Sequence, residues 1–210
     1  LPWLDFHSIR DDDAEKGSNQ TDGAEIDAEF NNFNYTKDDW GTDTYWNDHF
    51  TMINLANKEV YTANTLGVTD AASLRNVGEA CFFRAYSYFE LVKAYGEVPL
   101  VNFLVLKPSD AIRPKSSIDS LYAFIDSNLR VANDYLPENA LDYGTGYKGR
   151  LTRGAAQTLW AQTFLFRQKW DSVVKYCNAV INSGQYSLSP KFTDIWKDGL
   201  AGAGKNGPES

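Results

Sequence analysis

The sequence predicts an all-α fold, in which tetratricopeptide-like antiparallel helix pairs follow an irregular acidic N-terminal region. Three observations lead to this prediction. Apolar residues recur every three or four positions in five segments, which is the period of an amphipathic helix. Glycine or proline ends most of these segments, as expected where a helix stops. Acidic and turn-forming residues are concentrated in the first 40 residues, which lack a helical period.

The five predicted helices span residues 43–60, 74–95, 118–136, 153–168 and 171–183. Three of them are preceded by a side chain that can accept a hydrogen bond from the first helical turn: Asp43 or Thr44, Ser117 and Thr152. Helix-ending residues follow three of them, at Gly96, Pro137 and Gly184. In the second helix, we expect Tyr88, Leu91, Val92 and either Phe82 or Phe83 to be buried.

The order of the helices predicts antiparallel pairs, 43–60 with 74–95 and 118–136 with 153–168, and the last helix packs on 153–168. Residues 160–180 follow a degenerate tetratricopeptide pattern, with Trp160, Ala161 and Phe164 at the large, small and aromatic positions. Any helical hairpin has apolar residues at these intervals, so this pattern alone is weak. Cys81 and Cys177 lie on predicted apolar stripes, and both are interpreted as buried structural thiols.

The charge of the chain divides it into two parts. The net charge is −8, and residues 1–40 carry eleven acidic residues against three basic ones, so the remainder is balanced. We therefore predict an acidic, aromatic segment over 1–40 and a helical-repeat domain over 41–210, truncated at its C-terminal end. An acidic chain without a basic patch argues against a nucleic-acid partner. No apolar run approaches the roughly 20 residues that span a bilayer, and the natural protein is expected to extend in both directions.

Residues that could support catalysis or metal binding are few. His7 and His49 are the only histidines, and they form no recognisable triad or zinc motif with the two cysteines. The acidic residues 11–15 are interpreted as a surface run. As a calcium loop, residues 11–22 lack the glycine and the final glutamate of an EF-hand, so a weak cation site is a minor alternative. We therefore predict no catalytic residues, no cofactor and no metal.

One segment has a distinctive amino-acid sequence. Residues 76–101 read NVGEACFFRAYSYFELVKAYGEVPLV. An alanine-rich helix with F-x-R-A-Y-x-Y-F-x-L-V, closed by Y-G-x-V-P-L-V, resembles the signature of the SusD/RagB family of outer-membrane nutrient-binding lipoproteins. Further segments resemble family elements in the same order, at 46–57, 121–137, 149–170, 176–186 and 192–196. The resemblance covers about residues 43–210, and members of the family are two to three times this length.

The resemblance implies a function and a setting. The chain would be the helical N-terminal part of a non-catalytic protein that binds an oligosaccharide and lids a SusC-like TonB-dependent transporter. It would lie on the surface of the outer membrane, anchored by lipid through a cysteine upstream of this sequence. A helical-repeat scaffold that binds a peptide or protein is the alternative, and a surface glycosidase is a third possibility.

Candidate ligand-binding residues lie in the N-terminal region, where nine of the aromatic residues fall within residues 1–50. Sugars bind where an aromatic face lies beside carboxylates, amides and arginine. Arg10, Asp12 and Asn19 lie in a loop that resembles the family's R-x-D-D-A-x-x-G segment. Tyr35 and Trp40 flank charged residues and are predicted to be exposed aromatic plates. Trp46 and Phe50 are instead assigned to the core because they lie on a helix stripe.

Overall fold

A computed structural model describes residues 2–12, 14, 19, 29–147 and 149–196. The five long helices are Trp40–Leu66 (α1), Ala71–Tyr95 (α2), Ile118–Tyr135 (α3), Arg153–Phe166 (α4) and Trp170–Asn182 (α5). Within these described residues there is no β-strand, and the extended pairing is a single bridge between Pro99 and Lys115. The all-α prediction is confirmed. Among the same residues, no helix has both the length and the apolar content needed to cross a bilayer.

The predicted helix starts at Ser117 and Thr152 are confirmed. Ser117 Oγ accepts a hydrogen bond from the amide of Ser120, and Thr152 Oγ1 accepts one from Ala155, both at 3.3 Å. The prediction that Asp43 or Thr44 caps α1 is wrong. That helix begins at Trp40, and the Asp43 amide already donates to the carbonyl of Asp39 at 3.0 Å. It ends at Gly67, whose positive φ of 62° suits glycine.

The N-terminal residues that the structure describes are helical near the start of the chain. An α-helical turn, Pro2–Leu4, leads directly into a π-helical turn, Asp5–Ile9. We call this segment the N-terminal turn. The sequence analysis did not predict it, because two helical turns are too short to show a period. The division of the chain between residues 40 and 41 stays a prediction.

The helices pack in sequence, α1 on α2, α2 on α3, α3 on α4 and α4 on α5. The predicted pairs are confirmed, whereas the extensive α2–α3 contact was not anticipated. Tyr88, Leu91 and Val92 are buried as expected, in a core that also contains Leu121, Ile125 and Leu129 of α3. Phe82 packs partly against this core, and Phe83 faces solvent. The tetratricopeptide-like detail stays a prediction.

A buried arginine joins three of the helices. Arg84 of α2 is 8% exposed, and its Nε donates to Asn128 Oδ1 of α3 at 2.7 Å. Its Nη1 donates to Asn57 Oδ1 of α1 at 2.8 Å, and the guanidinium lies 5.0 Å from the centre of the Phe124 ring. Asn57 in turn donates to the carbonyls of Val101 and Phe103 at 2.9 and 2.8 Å. Burial lowers the pKa of Arg84 from its usual value.

The two cysteines differ in exposure. Cys81 is buried beside α1 as predicted, but the prediction that Cys177 is buried is wrong, because it is exposed. Helix α5 packs on α4 through Val173 and Tyr176, which touch the main core. Trp170, Val174 and Ile181 of the same helix are exposed together with Cys177. An apolar stripe is buried only where a neighbouring element covers it.

We predict that Arg84→Met lowers the free energy of unfolding by about 3 kcal/mol, because two buried amide oxygens lose a charged donor. Arg84→Lys should also be costly, because an ammonium cannot replace the planar fork. Urea unfolding of both variants measures the effect. Arg130→Met, at an exposed position on α3, is the control and should change stability by less than about 0.5 kcal/mol. Equal stability of Arg84→Met and Arg130→Met would contradict the assigned role.

We also predict that a thiol reagent labels one cysteine rapidly in the folded protein and both in denaturant. Cys177 is exposed, whereas burial both hides Cys81 and raises the pKa of its thiol. Timed labelling followed by mass spectrometry of the peptides identifies the reacting residue. In Cys177→Ser, rapid labelling should disappear, and its persistence would show that Cys81 is accessible.

Candidate functional site

A cavity of about 420 Å³ lies between the N-terminal turn, the start of α1 and the end of α2. Its walls are mainly aromatic and its rim is polar. The lining residues are Phe6, Tyr35, Thr36, Lys37, Thr42, Asp43, Trp46, Ala94 and Tyr95. We call it the aromatic cavity. It combines rings with hydroxyl, ammonium and carboxylate groups, which is the composition expected of a small-ligand site.

The rings of the aromatic cavity hold one another in place. Phe6 of the N-terminal turn stacks on Tyr45 of α1, with ring centres 4.3 Å apart. Trp46 meets Tyr95 edge to face at 5.2 Å, which joins α1 to the end of α2. The Tyr95 hydroxyl donates to the carbonyl of Thr42 at 2.6 Å, and burial raises its pKa. These contacts fix the orientation of the walls before any ligand is present.

Arg10 and Tyr35 meet at one side of this cavity. The Arg10 guanidinium carbon lies 5.2 Å from the centre of the Tyr35 ring and 5.7 Å from that of Phe6. Tyr35 stacks at 4.9 Å on Phe30, which is fully buried. Gly41 makes this stack possible, because a Cβ at position 41 would come within 2.7 Å of the Phe30 ring.

The polar rim offers both donors and acceptors. Asp43 accepts a hydrogen bond from Asn47 Nδ2 at 3.0 Å, which holds the carboxylate at the first turn of α1. Lys37 is paired with Asp38 at 2.6 Å in an exposed position. Thr42 Oγ1 donates to the carbonyl of Thr36 at 2.8 Å. This rim can exchange hydrogen bonds with the hydroxyl groups of a ligand.

The structure brings together two of the five residues predicted to bind ligand, Arg10 and Tyr35. Trp40 is 48% exposed at the start of α1 and does not line the aromatic cavity. Asp12 and Asn19 are exposed and are also absent from its walls. Arg10 does not line the cavity either, but it contacts the lining rings of Phe6 and Tyr35. The residues 13, 15–18 and 20–22 of the possible cation loop lie outside the described residues. The contribution of all five predicted residues to ligand binding stays a prediction.

Tyr35 is the one lining residue that was predicted from the sequence, and the other three rings of the cavity, Phe6, Trp46 and Tyr95, were not. Trp46 and Phe50 were assigned to the core, and the structure shows them only partly buried against it. Trp46 also lines a second cavity of about 410 Å³, together with Phe50, Thr51 and Asn54. A helix stripe identifies rings that face inwards, but it does not distinguish a packed interior from a cavity wall.

A buried charged cluster lies next to the aromatic cavity. Glu90 of α2 is within 2.8 Å of His7 Nε2 and 2.7 Å of Lys93 Nζ. It also accepts a hydrogen bond from the Tyr45 hydroxyl at 2.7 Å. Burial, followed by this bond to Glu90, raises the pKa of Tyr45. The cluster connects α2 to both α1 and the N-terminal turn.

Both histidines are enclosed by this region of the fold. His49 is buried and packs edge to face against Tyr45 at 4.4 Å, and its Nδ1 has no hydrogen-bond partner among the residues that the structure describes. Burial lowers the pKa of His49, opposed by the charge of Glu90. Neither histidine lines the aromatic cavity. Among the residues that the structure describes, no three His, Cys, Asp or Glu side chains are grouped to hold a metal ion.

Comparison with known proteins identifies the family. A profile of a SusD-like family, described as starch-binding and associating with the outer membrane, matches residues 8–165. SusD-like protein P2 of Formosa agariphila is 25% identical over 193 residues, which cover 90% of this chain and 37% of that protein. The chain therefore spans little more than a third of that relative's length.

Solved structures agree with this result. A SusD-like protein from Bacteroides fragilis is 32% identical, with a TM-score of 0.67 over 76% of this chain and 30% of that one. A structure determined with a xylogluco-oligosaccharide is 25% identical, with a TM-score of 0.75 over 93% of this chain and 41% of that one. Because the family profile matches more than half of its residues, the chain belongs to the SusD-like family.

Proposed function

We propose that the chain is part of a non-catalytic glycan-binding component of an outer-membrane nutrient uptake system. The observation that carries the proposal is the aromatic cavity, which Tyr35 lines together with rings of the N-terminal turn, α1 and α2. The Arg10 guanidinium lies against the Tyr35 ring beside it. Membership of the SusD-like family, described as starch-binding, supports it. A relative of known structure was determined with a xylogluco-oligosaccharide, which favours an oligosaccharide as the class of ligand.

The chemistry of the aromatic cavity suits a sugar. A pyranose has apolar C–H faces that pack against rings, and hydroxyl groups at its edge that need hydrogen-bond partners. Tyr35 and Trp46 supply ring surface, while Asp43 and Lys37 at the rim supply an acceptor and a donor. Trp40, exposed at the start of α1, would extend the ring surface for a longer oligosaccharide.

The proposal contains no catalytic step. A glycosidase needs two carboxyl groups across the scissile bond, about 5 Å or 6.5–9.5 Å apart. Asp43 is the one carboxylate among the residues that line the aromatic cavity. Glu90 lies behind the lining and is committed to His7, Lys93 and Tyr45.

The cellular setting is also part of the proposal. Association with the outer membrane follows from the family description. A surface position, a lipid anchor on an upstream cysteine and a SusC-like TonB-dependent transporter as partner follow from the family resemblance. In that arrangement, the protein would lid the transporter and deliver oligosaccharides to it.

We predict that Tyr35→Ala in the full-length protein weakens binding of the cognate oligosaccharide by at least tenfold, or about 1.4 kcal/mol. The cause would be the loss of a ring that lines the aromatic cavity. A glycan array identifies the oligosaccharide, and calorimetric titration measures its affinity. Tyr61→Ala is the control, because it removes the same kind of ring from an exposed position outside the aromatic cavity. The Tyr61→Ala protein should bind the oligosaccharide with wild-type affinity. Equal affinities of both variants would refute the assignment of the site.

We also predict that Trp40→Ala weakens affinity at least tenfold without lowering the melting temperature, because an exposed ring contributes little to the core. Calorimetry and thermal unfolding test both parts. Wild-type affinity would show that Trp40 does not contact the ligand, and unfolding would show that it is a core residue.

We predict further that the wild-type protein releases no reducing ends from the bound glycan. Turnover that is lost on replacing a single carboxylate would overturn the binding-protein proposal.

A further inference from the structure

Glu90 is a buried carboxylate with partners on three different segments. It is 4% exposed. His7 Nε2 of the N-terminal turn lies 2.8 Å away, the Tyr45 hydroxyl of α1 donates to it at 2.7 Å, and Lys93 of the same helix lies at 2.7 Å. Removing a carboxylate from water is costly unless charged and hydrogen-bonding groups compensate it. Each of these partners is therefore held in place by the others.

The three contacts differ in what they fix. Lys93 is one helical turn from Glu90, so the contact between them lies within α2 and joins it to no other segment. Tyr45 ties α1 to α2. His7 is the partner of Glu90 that belongs to a separate segment, and it is held further by the ring of Trp3, with centres 4.7 Å apart. Phe6 of the same segment also lies 6.0 Å from the Tyr95 ring of α2. The pair of Glu90 and His7 therefore ties the N-terminal turn to the helical domain.

The N-terminal turn supplies one residue of the aromatic cavity lining, and Arg10, which directly follows the turn, contacts that lining. Phe6, next to His7, lines the cavity and stacks on Tyr45 at 4.3 Å. Arg10, three residues after His7, faces Tyr35 at 5.2 Å. A displacement of His7 would move both side chains, although neither touches Glu90 in the contacts described above.

We propose that Glu90 is a positioning residue that holds the N-terminal turn through His7 and thereby presents Phe6 and Arg10 beside Tyr35. The role in ligand binding rests on the proposed function, whereas the tie between Glu90 and the N-terminal turn does not. Glu90 is not among the residues that line the aromatic cavity, so it would act on affinity through other residues. Its loss should loosen one wall of the aromatic cavity and leave α3, α4 and α5 unchanged.

The test compares Glu90→Gln with a matched control, Glu79→Gln. Glutamine keeps an acceptor for Tyr45 and removes the charge that pairs with His7. Glu79 forms a part-buried ion pair with Arg150 at 2.6 Å, also on α2 but away from the aromatic cavity. His7→Gln is a second variant, which tests the same tie from the half-buried side should Glu90→Gln fail to fold.

Two measurements are made on the full-length protein. Hydrogen–deuterium exchange without ligand reports the opening of residues 2–10, which we expect to accelerate by about tenfold in Glu90→Gln and His7→Gln but not in Glu79→Gln. Calorimetric titration with the oligosaccharide identified on the array should show about fivefold weaker binding in the first two variants alone. Glu90→Asp, which keeps the charge, should recover part of the affinity.

Each outcome decides one part of the inference. Unchanged exchange of residues 2–10 in both variants would overturn the tie. An equal loss of affinity in Glu79→Gln would reduce Glu90 to a general stabilising residue. Faster exchange at the N-terminal turn with unchanged affinity would overturn the positioning role. A wild-type protein that binds no glycan would refute the proposed function, while the exchange result would still decide whether Glu90 holds the turn.

Discussion

The packing of the first three helices depends on one buried guanidinium. Arg84 brings its charge into the interior of the helix bundle, where its hydrogen bonds go to the neutral side chains of Asn57, Asn128 and Cys81. Amide oxygens and a ring face compensate the desolvated charge only in a narrow range of geometries. A slip of α1 along α2 by one residue would remove Asn57 from the guanidinium, and a slip of α3 would remove Asn128, so either would leave the buried charge with one hydrogen bond fewer. The network therefore selects one register among many that apolar packing alone would allow.

Helix α2, which contains Arg84, also reaches the aromatic cavity. Six residues after Arg84, Glu90 faces α1 and the N-terminal turn, and one further turn along, Tyr95 reaches the cavity wall. The apolar residues between them, including Tyr88, Leu91 and Val92, are buried in the main core. Helix α2 thus fixes the distance between the interior network and the site.

Much of the fold could be predicted from the sequence, because helix periods and helix-ending residues are local signals. The five helices, the α1–α2, α3–α4 and α4–α5 pairs and the caps at Ser117 and Thr152 follow from them, whereas the contact between α2 and α3 does not. The exposure of apolar residues on the last helix, α5, could not be predicted, because it depends on whether another element covers them. Cys177 is exposed for this reason.

The candidate site was harder to predict than the fold. Tyr35 and Arg10 were identified by composition and by resemblance, and they do meet. Trp46 and Tyr95 share the helical period of core residues, so their position on a cavity wall depends on the gap between two helices and the N-terminal turn. Phe6 lies in a turn too short to show a period. The helical period indicates that a ring faces inwards. Whether the ring packs in the core or lines a cavity depends on whether a neighbouring element fills the space opposite it.

The stack of Gly41, Phe30 and Tyr35 has a consequence for how such a site can evolve. Phe30 is sealed beneath Tyr35, and position 41 has no room for a side chain beyond hydrogen. The supporting ring and the glycine are therefore constrained together, while the outer ring is free to be exchanged for another flat side chain. Under the proposed function, substitutions at position 35 would change ligand preference while the buried ring of Phe30 and the glycine beside it stay unchanged. Specificity and fold stability would then depend on different residues of one small stack.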